Sequence, residues 1–338
     1  MNTSILRFST VADHFRLVVV GGGTAGCAVA SKFARILPKK QIAVIEPQKD
    51  HYYQPGLTLA AAGLMSFEQL HRDESSVLPH GVNWFQNSTT IEGLSSGTES
   101  VLISPSISSI YFPEGAKKTL EELNKFPSGG VALFTYPAYP IKSSAEEEFV
   151  RIPSFVSAPL TVGYLVCQNM LSLSNHNLVK VDPERRHAVF EVLNEKGKGT
   201  GERRTLEYSF LHIGPPCSPT KALIEHAQKQ NANALQLTDP QGWVKVDPRT
   251  LQSPAFPNVF AIGDCANTPN AKTAAAVSSQ LKALAKNLKN VMDNKAPIAE
   301  YDGYASCPLV VDRRHVVLAE FSPNGPMETF PYDQSLPT

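Results

Sequence analysis

Leu17-Val18-Val19-Val20-Gly21-Gly22-Gly23-Thr24-Ala25-Gly26 is the stretch that decides the fold. A short β-branched run reads as a buried strand and passes directly into G-x-G-x-x-G at Gly21, Gly23 and Gly26. Residues 27–35 continue as a helix. Each glycine answers a separate steric need. Gly21 allows the tight turn, Gly23 lets the main chain approach a pyrophosphate, and Gly26 lets helix and strand pack closely. Phosphate oxygens would then meet free N–H groups at the positive end of the helix macrodipole. Residues 41–45 read as a second buried strand ending in Glu46, whose carboxylate can accept hydrogen bonds from two ribose hydroxyls. Strand, glycines, helix, strand and terminal acid in this order predict an α/β, Rossmann-like dinucleotide-binding domain of three layers.

The 338 residues leave room for two domains. Apolar residues make up 42% and charged residues 18%, a globular composition. Lys plus Arg equals Asp plus Glu at 31 each, so no global field draws the chain to nucleic acid or anionic lipid. The five cysteines, Cys27, Cys167, Cys217, Cys265 and Cys307, are scattered without C-x-x-C or Cys/His spacing. That argues against a disulfide scaffold or a zinc site and leaves core packing or redox chemistry. No apolar run approaches the ~20 residues of a spanning helix. Residues 1–13 carry hydroxyls and Arg7, with no acid in the first ten, which suits either a short transit peptide or a frayed terminus.

Along the chain, residues 51–56 read as a polar and aromatic loop and residues 82–85 as a strand. The Ser/Thr-rich residues 87–109 read as loop. Residues 116–126 have helical spacing, and Gly129-Gly130 leads into a strand at 131–136. No phosphate-binding helix follows it, so the middle third reads as a second dinucleotide-binding-like domain with its core shortened. Residues 178–181 and 187–193 read as a hairpin and residues 205–213 as a further strand. Residues 242–247 and 257–264 are expected to form strands, the latter ending in Gly263-Asp264, with a long helix from Thr273 to about Met292. Asp264 suits contact with a sugar-like chain beside that helix start. The expected division is 1–13 candidate transit peptide, 14–115 and 239–300 dinucleotide-binding domain, 116–238 shortened second domain, and 301–338 C-terminal segment.

These pieces resemble the flavoproteins with two dinucleotide-binding domains, and among them the eukaryotic, mitochondrial type of sulfide:quinone oxidoreductase. The resemblance is carried by residues 19–26, 43–47, 51–55, 134–142, 177–190, 242–247, 258–277, 301–310, 316–321 and 329–334. Its most specific part is Tyr301-Asp302-Gly303-Tyr304-Ala305-Ser306-Cys307-Pro308-Leu309 together with Lys272-Thr273-Ala274-Ala275. It implies FAD, with Gly21, Gly23, Thr24, Ala25 and Gly26 at the pyrophosphate, Glu46 at the ribose, Gln54 near the flavin and Thr89 at the adenine side. Asp264 would hold the ribityl chain, and Lys272, Thr273 and Ala274 would lie by the flavin ring. The implied reaction begins with sulfide attacking a cysteine disulfide or trisulfide. Sulfane sulfur passes to a small thiol or sulfite, and two electrons pass through FAD to ubiquinone. Cys307, expected in a turn, matches one redox cysteine. Cys27 and Cys265 read as core or flavin-proximal packing residues.

The sequence also departs from that family. Its other redox cysteine follows the segment matched by residues 135–142, where this chain has Ser143, and a serine oxygen forms neither disulfide nor persulfide. A hydrophobic strand expected between Trp84 and Ala116 is replaced by the serine-rich stretch. Beyond Thr338 the family continues into amphipathic helices that carry its peripheral contact with the mitochondrial inner membrane. Two rivals stand beside the enzyme reading: an NADH:quinone oxidoreductase-like flavoenzyme, and a shortened, non-catalytic relative.

Overall fold

A computed structural model of the chain describes residues 15–86, 107–108, 113–125, 131–135, 175–213, 219–229, 235–310 and 316–327. They form two compact units, the first made of residues up to His51 and from Arg72 to Thr90, the second of all others. The short strands β3 (Asp50–Tyr52) and β4 (His71–Asp73) mark two of the three chain crossings.

The first unit is the expected βαβ start. β1 (Leu17–Val20) pairs in parallel with β2 (Ile42–Ile45), and β2 pairs in parallel with β5 (Asn83–Phe85). Helix α1 (Thr24–Phe33) makes the first crossover and presses Ala30 and Phe33, both fully buried, onto the sheet. Burying one such phenyl ring stabilises the unit by roughly 1.5–3 kcal/mol. Pro38, a residue no helix interior tolerates, follows within five residues of the helix end. The central strand β2 buries Ile42, Ala43 and Val44, whereas the edge strand β1 alternates, with Leu17 and Val19 inside and Val18 and Val20 exposed.

In the second unit, α2 (Leu57–Ala61) and α3 (Phe67–Leu70) are short helices packed with Phe210 in one apolar cluster. A capping box between Ser66 and Gln69 starts α3. Three small sheets follow. A parallel one has the order β6 (Ile107–Ser108), β11 (Phe210–Ile213), β7 (Ala132–Thr135). The antiparallel meander is β8 (His176–Asp182), β9 (His187–Leu193) and β10 (Gly199–Glu207). The last comprises β12 (Ala305–Val310), β13 (Val316–Ser322) and β14 (Gly325–Met327). The hairpin expected around Asp182-Pro183-Glu184 is present as β8 and β9.

Four expectations change. Residues 205–213 form two strands, because the chain leaves the meander at Glu207 and re-enters a different, parallel sheet at Phe210. Ile107 and Ser108 form a strand inside the serine-rich stretch; two residues carry no periodicity for a sequence pattern to reveal. Residues 242–247 and 257–264 are held by isolated bridges rather than regular ladders. Scattered backbone bonds, such as Val244 N–H to Cys265 O at 2.8 Å, are joined by side-chain ones: Asn267 Oδ1 accepts the Val246 N–H at 3.0 Å, and Asp247 Oδ1 accepts those of Arg249 and Thr250, just beyond the first segment, at 3.0 and 2.7 Å. Residues 51–56, read as loop, contain the end of β3 and a 3-10 turn over Gln54–Gly56.

Candidate functional site

In the first unit the glycine turn is built as its spacing requires. Gly21 has φ +98° and its N–H donates to Ile45 O at 3.0 Å, joining the turn to the end of β2. A Cβ at Gly26 would lie 1.8 Å from Gly21 O, so only glycine permits this approach of α1 to the strand. At Gly23 the same test finds open space: φ is −64° and no atom lies within 4 Å of an added Cβ. Gly23 is therefore not required by packing or backbone strain, and the room before it is what a pyrophosphate would occupy. No side chain caps the start of α1 and no acid lies in its first turn, so its orphan N–H groups suit phosphate oxygens. These features fit a dinucleotide such as FAD.

Glu46, half-buried, is tied to the same turn. Its Oε2 accepts the Gly22 N–H at 2.7 Å, and its Oε1 accepts the Gln48 N–H at 2.7 Å. Both oxygens keep lone pairs for ribose hydroxyls. Behind the turn, Cys27 is more than a packing residue. Its S–H donates to Gly22 O at 2.8 Å, and Sγ is 3.4 Å from Glu74 Oε1. Burial, together with the charge of Glu74 and Glu46, pushes the Cys27 thiol up to about 12. Glu74, almost wholly buried, places Oε2 2.9 Å from His51 Nδ1. Sequence reading missed Glu74, because an acid at a helix start ordinarily faces solvent.

In the second unit the candidates gather around α7 (Ala274–Met292), counting α4 (Glu74–Val77), α5 (Pro113–Asn124) and α6 (Lys221–Lys229) before it. Thr273 caps α7, its hydroxyl accepting the Ala276 N–H at 3.1 Å, and Ala274 is the first helical residue. Lys272 donates to the carbonyls of Ala266 and Thr268 and lies 5.5 Å from the centre of the Trp243 ring. Asp264 sits in a 3-10 turn, Gly263–Cys265, where Gly263 has φ +73°. Desolvation raises the Asp264 carboxyl above its usual range while Lys272 opposes the shift, yet the residue is solvent-accessible.

The turn is fixed by Gln280, a fully buried amide on α7. Its Oε1 accepts the Gly263 N–H at 2.8 Å, and its Nε2 reaches Asn270 Oδ1 at 3.2 Å. Gln280 was legible in the helix period, since it shares a face with buried Ala276, Val277, Ala283 and Leu284. Cys307 lies in strand β12, opposite Ala319 on β13, not in a turn; α7 packs against β12. Desolvation raises the Cys307 thiol. Cys265, expected to pack, is exposed, and Cys27, Cys265 and Cys307 are free thiols. Gln54 is exposed in its 3-10 turn. Thr89, Ser143, Cys167 and Cys217 lie outside the described residues.

No family model matches the chain. A mitochondrial sulfide:quinone oxidoreductase of Mus musculus is 32% identical over 388 aligned positions, covering 96% of this chain and 82% of the mouse protein. The chain belongs to the mitochondrial sulfide:quinone oxidoreductase family. The alignment is longer than the 338-residue chain, so the mouse protein holds segments with no counterpart within this family member. Two solved structures share its fold at low identity. The sulfide:quinone oxidoreductase of Aquifex aeolicus aligns with TM-score 0.59 at 17% identity, over 91% of this chain and 83% of that one. A chain of the Tetrahymena thermophila mitochondrial ATP synthase assembly aligns with TM-score 0.64 at 18% identity, over 94% and 88%. One architecture thus serves unrelated settings, and fold alone selects no chemistry.

Proposed function

We propose that this chain is an FAD-dependent sulfide:quinone oxidoreductase, oxidising hydrogen sulfide to sulfane sulfur and passing two electrons to ubiquinone. The observation that carries the reading is the 32% identity to the mouse enzyme along nearly the whole chain. Bound FAD would supply the two-electron relay between sulfur and quinone.

The chain's own residues take the following parts. Main-chain N–H groups at Thr24 and Ala25 hold the pyrophosphate, Gly23 leaves it room, and Glu46 accepts from the ribose hydroxyls. As the resemblance implies, Thr89 would serve the adenine side, Gln54 the flavin and Asp264 the ribityl chain, the turn at Asp264 being braced by Gln280. Lys272, Thr273 and Ala274 would offer the positive end of α7 to a bound flavin ring. Cys307 would supply one of the two sulfurs of the bond that sulfide attacks; the second, which leaves as a thiolate, has to come from a residue other than Ser143. The sulfane sulfur leaves on a small thiol or sulfite. The setting is the mitochondrion, with peripheral contact at the inner membrane; among the described residues no helix is long and apolar enough to cross one.

The test is an anaerobic titration of the purified full chain. The flavin absorbance should be present, bleach with sulfide but not with NADH, and return when a soluble ubiquinone is added. A folded, colourless protein that takes up no FAD overturns the reading. So does a flavin that NADH bleaches and sulfide does not.

A further inference from the structure

Three unlike donor groups meet behind the glycine turn. Cys27 Sγ, His51 Nδ1 and a carboxylate oxygen of Glu74 all lie within 4.8 Å of one another. They come from α1, β3 and α4, so no local motif announces them. Within the cluster, His51 Nδ1 is 2.9 Å from Glu74 Oε2, and Cys27 Sγ is 3.4 Å from Glu74 Oε1. Tetrahedral zinc with bonds of about 2.0–2.3 Å to nitrogen, oxygen and sulfur holds neighbouring donors roughly 3.3–3.5 Å apart. His51 and Cys27 approach different oxygens of Glu74, and with all three donors inside 4.8 Å a small rotation of the carboxylate brings one oxygen to that spacing. Thiolate, imidazole and carboxylate together are also a donor set that divalent zinc accepts and magnesium or calcium does not.

Charge supplies a second, independent argument. A Cβ on Gly22 would lie 2.6 Å from Glu46 Cγ and 2.4 Å from Glu74 Oε1, so two carboxylates press on the turn. Among the described residues no Lys or Arg pairs with either, and His51 is the one basic partner of Glu74. Two carboxylates beside a turn shaped for a diphosphate oppose what the turn is built to hold. A bound divalent cation would reverse that local field.

We propose that Cys27, His51 and Glu74 supply three ligands of a site for a thiophilic divalent cation of the zinc class. Binding releases the Cys27 thiol proton to solvent, along with the hydrogen bond that this proton makes to Gly22 O. Cation occupancy and the shape of the glycine turn are therefore coupled. The proposal goes beyond the sulfide reaction and does not depend on it.

Equilibrium dialysis of the chelator-treated full chain against micromolar zinc, followed by elemental analysis, tests it. The chain should retain a single zinc ion. Cys27→Ser and Glu74→Gln should each weaken retention by at least about 10–100-fold, the range lost when merely supporting residues are removed. Cys265→Ser and Cys307→Ser should leave it unchanged, which separates this cluster from adventitious thiol binding. Circular dichroism confirms folding of each variant, and Cys27→Ser, nearly isosteric, serves if Glu74→Gln unfolds. Failure to retain zinc, or equal retention by wild type and Cys27→Ser, overturns the site and leaves a hydrogen-bonded network only. Neither result touches the sulfide titration.

Discussion

Gly23 and Gly26 belong to one motif and meet opposite constraints, which gives them opposite mutational signatures. A side chain at Gly26 has no room, so Gly26→Ala should cost about 1–3 kcal/mol of stability through overpacking and lower the denaturant midpoint. At Gly23 the fold leaves space, so Gly23→Val should keep the wild-type midpoint while abolishing flavin retention. An unchanged flavin-to-protein ratio in purified Gly23→Val would show that no pyrophosphate passes there. Cys307 yields a pH prediction. Burial disfavours its thiolate and raises its pKa, so less of it is ionised near neutrality than for a free cysteine. In flavin-free protein its alkylation by iodoacetamide should be slower than that of glutathione near pH 7 and climb as pH rises. A rate matching glutathione would mean that the thiol is not shielded as its strand placement implies. Cys307→Ser should retain FAD and lose flavin reduction by sulfide.

Helix α7 is the element on which the second unit's candidate site hangs. Two buried polar side chains on it do the fixing. Gln280 holds the Gly263 turn, and Asn287 ties down two loops, donating to Thr250 O at 3.0 Å and Ala299 O at 2.7 Å while accepting the Ala299 N–H at 2.7 Å. Gln280→Leu leaves the buried Gly263 N–H without its acceptor, a loss of about 1–3 kcal/mol. Urea melts should move accordingly, and flavin content should fall with the displaced Asp264. The nearby turn at Asp247 carries an acid-side effect. Backbone N–H groups of Thr250 and Arg249 hold its carboxyl below the usual range, so its folded pKa lies below the unfolded one. The stability it contributes is present above the unfolded value of about 3.9 and fades as pH falls through the folded one. Asp247→Asn should remove that part of the acid dependence, measurable as a flatter midpoint-versus-pH curve below about pH 4.

Across the whole molecule, equal numbers of acids and bases leave formal net charge zero at pH 7. Light scattering of concentrated protein should therefore be highest near neutrality and fall when pH moves either way, with a flat profile contradicting the expectation. Much of this protein was open to reading before any coordinate. The βαβ start, the three glycines, Glu46, the hairpin around Asp182 and helix α7 all follow from local chemistry and short-period burial, which neighbouring residues dictate. Family membership was legible for a similar reason, since the segment around Cys307 and the run from Lys272 are contiguous in sequence. Contacts between distant segments were not legible. Isolated bridges from Val244 to Thr238 and Ala266 stand where a strand was expected, since its partners come from two separate segments. Cys307 sits in a strand because β13 arrives to pair with it. Cys27, His51 and Glu74 meet only when a helix, a strand end and a second helix start converge behind one turn. Local pattern decides where elements begin and what they bury, while packing alone decides which distant polar groups must satisfy one another once water is excluded.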